Sequence, residues 1–225
     1  MTSPQAMIFD MDGTLFQTET LLIPAYHRLF DRLREEGLFK GPTPPEEIIL
    51  SSLGMLLEAI WNRVMPDASE EAKRRADELL LEEELSGLSA GASKLYPEVS
   101  NTLKALHEQG IKLFVASNGL EPYVIGVADA HEISPYFDGL YSAGGHQTET
   151  KVDLVRILLE ENQIDHAWMV GDRSSDVEAG KKNGLTVIGC KYAGFGDDQE
   201  LDGSDHIIHH FSEILDLVKA HSSSK

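Results

Sequence analysis

The chain has 225 residues, 41% of them hydrophobic, enough for one large packed domain or a domain with a sizeable insert. Its 38 acidic and 19 basic residues give a formal net charge of -19, and the densest basic run, Lys73-Arg74-Arg75, sits among Glu70, Glu71, Asp77 and Glu78. A nucleic-acid partner, which needs a basic stripe to displace counterions, is therefore not expected.

Ala6-Met7-Ile8-Phe9 is a short apolar run that reads as a buried strand, and Asp10-Met11-Asp12-Gly13-Thr14 follows as a loop. From about Thr18 to Leu88 the pattern is helical. Leu22, Tyr26, Leu29, Phe30 and Leu33 recur at helical spacing, and Gly37 with Pro42, Pro44 and Pro45 interrupts them. A second helix is predicted near Pro45, with Glu46 and Glu47 in its first turn. A third runs from about Ser69 to Leu85 with Ala72, Ala76, Leu79 and Leu80 inside. The small residues of Ser86-Gly87-Leu88-Ser89-Ala90-Gly91-Ala92 predict a hinge or linker.

Strands and helices then alternate. Pro97 opens a helix that carries Val99, Leu103 and Leu106 and ends at Gly110. Strands are expected at Ile111 to Ala116, Leu140 to Ser142, Ala167 to Val170, Thr186 to Gly189 and His206 to Ile208. Helices are expected around Glu121 to Ala130, Val152 to Leu159, Ser175 to Asn183 and Phe211 to Lys219. This order predicts an α/β fold with a Rossmann-like parallel sheet, its first connection interrupted by an all-helical insert. The longest apolar-rich stretch, Ile48 to Trp61, is broken by Ser51, Ser52 and Glu58 and is too polar for a membrane span. No basic region followed by a long apolar stretch marks a signal peptide, and one cysteine, Cys190, allows no intramolecular disulfide, so a cytoplasmic protein without membrane partners is expected.

In a parallel sheet, ligands gather at the carboxyl ends of the strands. Here the first strand ends in Asp10 and Asp12, a later one in Ser117-Asn118-Gly119, and another in Gly171-Asp172 with Asp176 four residues on. Carboxylates crowded at one edge repel each other unless a cation lies between them, and hard oxygen ligands beside an anionic substrate suit Mg²⁺. Taken alone, Asp176 has the position of an ordinary helix cap, and a lone lysine such as Lys151 is ordinarily solvated.

The order of these motifs is informative. Asp10-Met11-Asp12-Gly13-Thr14-Leu15 resembles the first motif of the haloacid dehalogenase-like superfamily. Ser117-Asn118 resembles the second, Lys151 the third, and Gly171-Asp172-Arg173-Ser174-Ser175-Asp176 the fourth. The family often has Pro after the lysine, where this chain has Val152. The resemblance implies that Asp10 is a nucleophile forming an aspartyl phosphate and that Asp12 is the general acid and base. It implies Mg²⁺ held by Asp10, the backbone carbonyl of Asp12, and Asp172. Ser117 and Asn118 would bind phosphoryl oxygens, Lys151 would add positive charge, and Asp176 would orient Lys151 or a metal-bound water. The insert resembles the helical cap of one subclass. This predicts a core of residues 1–16 and 93–225 and a cap of 17–92, with hinges at Phe16 to Glu19 and Gly87 to Ala92 and a specificity loop at Leu50-Ser51-Ser52-Leu53-Gly54.

Gly171-Asp172-Arg173 and Tyr192-Ala193-Gly194-Phe195-Gly196 look most like the phosphoglycolate phosphatase-like and nucleotidase-like branch. Asp12 disfavours dehalogenases and phosphonatases, which lack an aspartate there. The expected activity is hydrolysis of a small phosphorylated metabolite, with a phosphomutase of the β-phosphoglucomutase type as the alternative. A non-catalytic binder would not need the set of Asp10, Asp12, Lys151 and Asp172. Monomer and homodimer are both open. His206, His209 and His210 read as solvated residues, and Trp61 and Trp168 as core.

Overall fold

The structure, a computed structural model, describes residues 4–194 and 199–222. Phe195 and Gly196 of the branch-like stretch lie outside the described residues. Among the described residues, six strands form one parallel sheet in the order β3-β2-β1-β4-β5-β6. They are β1 (Ala6–Phe9), β2 (Lys112–Ser117), β3 (Gly139–Ser142), β4 (Ala167–Gly171), β5 (Thr186–Cys190) and β6 (His206–Ile208). The chain leaves β1 toward β2 and β3, then returns to β4 on the other side of β1, so the order reverses between β1 and β4. That reversal opens a crevice at the carboxyl ends of β1 and β4, where Asp10 and Asp172 follow.

The sheet is buried on both faces because its side chains alternate. Met7, Phe9, Leu113, Val115, Trp168 and Val170 share one core cluster. Ala6, Ile8, Phe114, Ala116, Met169 and Val187 share the other. The first face is covered by α5 (Val99–Glu108), α6 (Glu121–Ala130) and α10 (Glu213–Ser222), the second by α8 (Lys151–Asn162) and α9 (Ser174–Lys182). A four-residue helix, α7 (Ala143–His146), follows β3.

Four helices precede α5 in the first connection: α1 (Glu19–Glu35), α2 (Glu46–Leu50), α3 (Leu57–Val64) and α4 (Glu70–Ser89). They enclose a core of their own, with Tyr26, Phe30, Trp61 and Leu79 fully or almost fully buried. Three helices were expected; Leu57–Val64 is a separate fourth, because Gly54 at φ 88° turns the chain after α2. The small residues after Leu85 do not form a linker at once. Helix α4 continues through Gly87 to Ser89, where Leu21 packs so closely on Gly87 that a Cβ there would lie 2.6 Å from it. The chain crosses into and out of the helices side by side: Phe16 bridges Leu95, Gln17 N–H donates to Lys94 O, and Tyr96 N–H donates to Leu15 O.

Candidate active site

The loop after β1 is wound around the carbonyl of Met11, which accepts the N–H groups of Leu15 and Phe16 at 3.0 Å each. The turn puts Gly13 at φ 77°, and a Cβ there would lie 2.3 Å from Asp172 Oδ2. Only glycine allows both this backbone and this approach of the second acidic strand end. A Cβ on Gly171 would likewise lie 2.2 Å from Asp176 Oδ2, so this glycine lets the first turn of α9 deliver its acid into the crevice.

Asp10, Asp172 and Asp176 are buried together, and each offers a carboxylate oxygen within 4.8 Å of the others. Lys151, the first residue of α8, reaches them with a buried side chain: its Nζ lies 2.8 Å from Asp10 Oδ1 and 2.6 Å from Asp176 Oδ1. The second oxygen of Asp176 accepts the backbone N–H of Arg173 at 3.0 Å. Thr14 donates to Asp172 Oδ1 at 3.0 Å. No described residue hydrogen-bonds to Oδ2 of Asp10 or Asp172. Asp176 is thus the most committed of the three acids, as an orienting partner of Lys151 would be.

Three acids outnumber the cations that meet them, the Lys151 ammonium and, 4.0 Å from Asp172 Oδ2, the Arg173 guanidinium. Burial pushes the Asp10 carboxyl up to about 7, with Asp176 adding to the rise and Lys151 opposing it. Burial also raises Asp172 well above the carboxylate range, reinforced by Asp10 and Asp176. Desolvation pulls the lysine down, but the two adjacent carboxylates win and raise it. Hard oxygen donors, with Asp10 Oδ2 unpaired among the described residues and carboxyls driven toward neutrality, fit a divalent cation.

Asp12 points elsewhere. Its Oδ1 accepts Thr18 Oγ1–H at 2.8 Å and Tyr123 Oη–H at 2.5 Å. Its side chain is not in the cluster of three acids, so any part in holding a cation falls to its backbone carbonyl. Burial raises the Asp12 carboxyl, and the two hydroxyls partly offset the rise. Ser117 ends β2 fully buried and accepts Gly119 N–H at 3.1 Å. Asn118 Nδ2 donates to Gly54 O at 2.7 Å, and its Oδ1 is buried without a partner among the described residues. Asp10, Asp12, Ser117, Asn118 and Lys151 all line one cavity beneath the helices. Asp172 and Asp176 stand behind it.

The family profile of the haloacid dehalogenase-like hydrolases matches residues 7–190, most of the chain and every residue just described. The chain belongs to this family. Among relatives of this hydrolase, a phosphoglycolate phosphatase of Vibrio vulnificus (strain YJ016) is 28% identical, over 93% of this chain and 94% of its own length. One from Aquifex aeolicus (strain VF5) is 30% identical, over 80% and 81%. A crystal structure described as a predicted phosphoglycolate phosphatase from Haemophilus somnus 129PT superposes with a TM-score of 0.83. It covers 96% of this chain and 99% of that one at 22% identity, a likeness of fold.

Some of the site was not singled out from sequence. Thr14, Thr18 and Tyr123 fix the acids, yet each sits in a segment where a hydroxyl is unremarkable. Within the expected specificity loop, Leu53 and Gly54 line the cavity and are joined by Met55, whereas Ser51 and Ser52 do not line it. Both serine hydroxyls are instead donated to Ile48 O, at 3.1 and 2.6 Å. Glu84 lines the cavity too, and its signal was available: it falls on the buried stripe of α4 between Leu80 and Leu88, where an acid is out of place.

Proposed function

We propose that this hydrolase is a Mg²⁺-dependent phosphatase of small phosphomonoesters, working through an aspartyl phosphate on Asp10. One observation carries the reading: Asp10 and Asp12 line the same cavity, but one carboxylate is held by Lys151 and the other is turned aside by Tyr123 and Thr18. Two acids two residues apart thereby receive two different environments, which is what separates a nucleophile from a proton donor.

Asp10 attacks phosphorus with the oxygen not taken by Lys151, and the phosphorus–oxygen bond to the alcohol breaks. Asp12, with its pKa raised by burial, carries the proton that the departing alkoxide takes up. The same group, now ionised, removes a proton from the water that hydrolyses the aspartyl phosphate. Lys151 offsets charge on Asp10 and on the transferred group. Ser117 Oγ–H and the backbone N–H groups after it are the donors for the phosphoryl oxygens. Asp10 and Asp172 would hold the divalent cation together with the Asp12 carbonyl, and its charge would keep Asp10 ionised and offset that of the phosphoryl group. We read residues 17–92 as a cap that keeps bulk water from the reacting atoms, with Gly54 and Asn118 joined across the site.

The test is rapid-quench turnover of p-nitrophenyl phosphate with Mg²⁺, followed by peptide mass analysis. A phosphoryl adduct on the peptide containing Asp10, release of inorganic phosphate, and loss of both in excess chelator or in Asp10→Asn are expected. Full turnover by Asp10→Asn, or in chelator, overturns the reading.

A further inference from the structure

The cavity continues past Asp10 and Asp12 into a chamber walled by Leu22, Ile49, Leu53, Ile60, Leu80 and Leu81. An ester bound with its phosphorus at Asp10 must place its alcohol portion there. The polar groups of this chamber are one-sided. Glu84 stands among the leucines, 8% exposed, and makes no hydrogen bond or ion pair with a described residue. The Thr18 and Tyr123 hydroxyl protons are both given to Asp12. Asn118 donates one amide hydrogen to Gly54 O and keeps a buried carbonyl oxygen without a partner among the described residues. Lys151 is the one cation among the described residues lining the cavity, and it is held between Asp10 and Asp176.

The alcohol end of the substrate therefore meets an unpaired acid and, among the described residues lining the cavity, no cation besides Lys151. An anionic alcohol portion would be desolvated against apolar walls beside an acid that burial and Asp12 already push up, with no cation of the described lining left to pair with it. A short apolar chain ending in a cation meets the opposite situation: its methylenes are buried, and its charge finds Glu84, the acid of this chamber that has no partner among the described residues. We propose that Glu84 selects phosphomonoesters of amino alcohols, whose ammonium it pairs, and rejects esters that carry a carboxylate. This rests on the phosphatase reading above. It also sets the chain apart from relatives named for phosphoglycolate.

The full chain with Mg²⁺ is assayed on phosphoethanolamine, n-propyl phosphate and phosphoglycolate, with p-nitrophenyl phosphate as reference. The three alkyl esters have similar size and end in a cation, a methyl and an anion. The expected order of kcat/KM is phosphoethanolamine, then propyl phosphate, then phosphoglycolate, each step about tenfold or more. Glu84→Gln should bring phosphoethanolamine and propyl phosphate to within about threefold of each other, and Glu84→Lys should move phosphoglycolate ahead of phosphoethanolamine. Because these are ratios within one variant, a general loss of activity does not mimic them. If the variants do not fold, the wild-type order alone decides. Phosphoglycolate matching phosphoethanolamine overturns the proposal, and so does propyl phosphate matching it. Turnover of p-nitrophenyl phosphate with the wrong order sinks this inference alone. No turnover of any ester sinks the phosphatase reading and this inference with it.

Discussion

The acid proposed as nucleophile should be a burden on the fold, and the size of that burden can be worked out. Asp10 is pushed from its ordinary 3.8 to about 7, by burial first and then by Asp176, against the pull of Lys151. A carboxyl that binds its proton more tightly in the fold than in the unfolded chain favours folding below about pH 4. That contribution is lost as the pH rises to 7 and is gone above it. At about 1.4 kcal/mol per pH unit, keeping Asp10 ionised at pH 8 without a cation costs about 4 kcal/mol. Asp10→Asn keeps the shape and removes the charge. That cost is already net of the pull of Lys151, and the asparagine carbonyl oxygen can accept from the ammonium, which Asp176 also holds. The net gain is therefore up to about 4 kcal/mol, or roughly 8–16 °C in Tm for a chain of this length. Thermal melts in excess chelator should show the variant more stable at pH 8 and the difference shrinking toward pH 5. Mg²⁺ should then raise the wild-type Tm more than that of the variant. A variant no more stable than wild type at pH 8 would refute the claim that an unbalanced buried charge shapes this site.

Two further outcomes follow from the setting of Asp12. Tyr123→Phe removes one of the two hydroxyls that hold and acidify it, so the basic limb of the kcat/KM profile should move to higher pH and kcat for an alkyl ester should fall about tenfold; an unmoved limb would make Tyr123 merely structural. Asp12→Ala should cost about 10²–10⁴-fold with alkyl esters but much less in the first step with p-nitrophenyl phosphate. With that substrate a burst of nitrophenol followed by slow turnover is expected by rapid quench, and equal losses without a burst would remove Asp12 from proton transfer.

How far the sequence could be read depended on whether a residue's role was local. Each strand at the active edge announced itself as an apolar run ending in a polar group, and chain order with short connections left a parallel sheet as the natural solution. Lys151 was legible only through the order of motifs. What brings its ammonium to Asp10 is the return of the chain from β3 along the second face of the sheet, a relation across 141 positions that no spacing rule contains. Helix α3 was missed for a different reason. Its apolar residues continue those of α2, and the break between them rests on one glycine at positive φ. The hinge expected from Gly87 was misplaced because small residues serve two ends: loosening a chain, or letting two helices touch. Here Leu21 fills the space that a side chain on Gly87 would need.

The same distinction bears on what the site can discriminate. The acids that would carry the chemistry are fixed by the core: by strand ends, by the first turn of α9, and by two glycines that admit carboxylates at contact distance. The groups that would meet the rest of the substrate come largely from α1 to α4, tied to the core at the site by contacts such as Asn118 with Gly54 and Arg173 with Leu50 O. A substitution such as one at Glu84 can change the charge of the chamber without moving Asp10, Lys151 or Asp172, since none of the bonds that fix those residues passes through α4. The family match spans residues 7–190 and so takes in both sets. Belonging to a family fixes the kind of site more than the group that meets the alcohol, so the names of relatives about 28% identical leave that group to be decided by the residues of this chain.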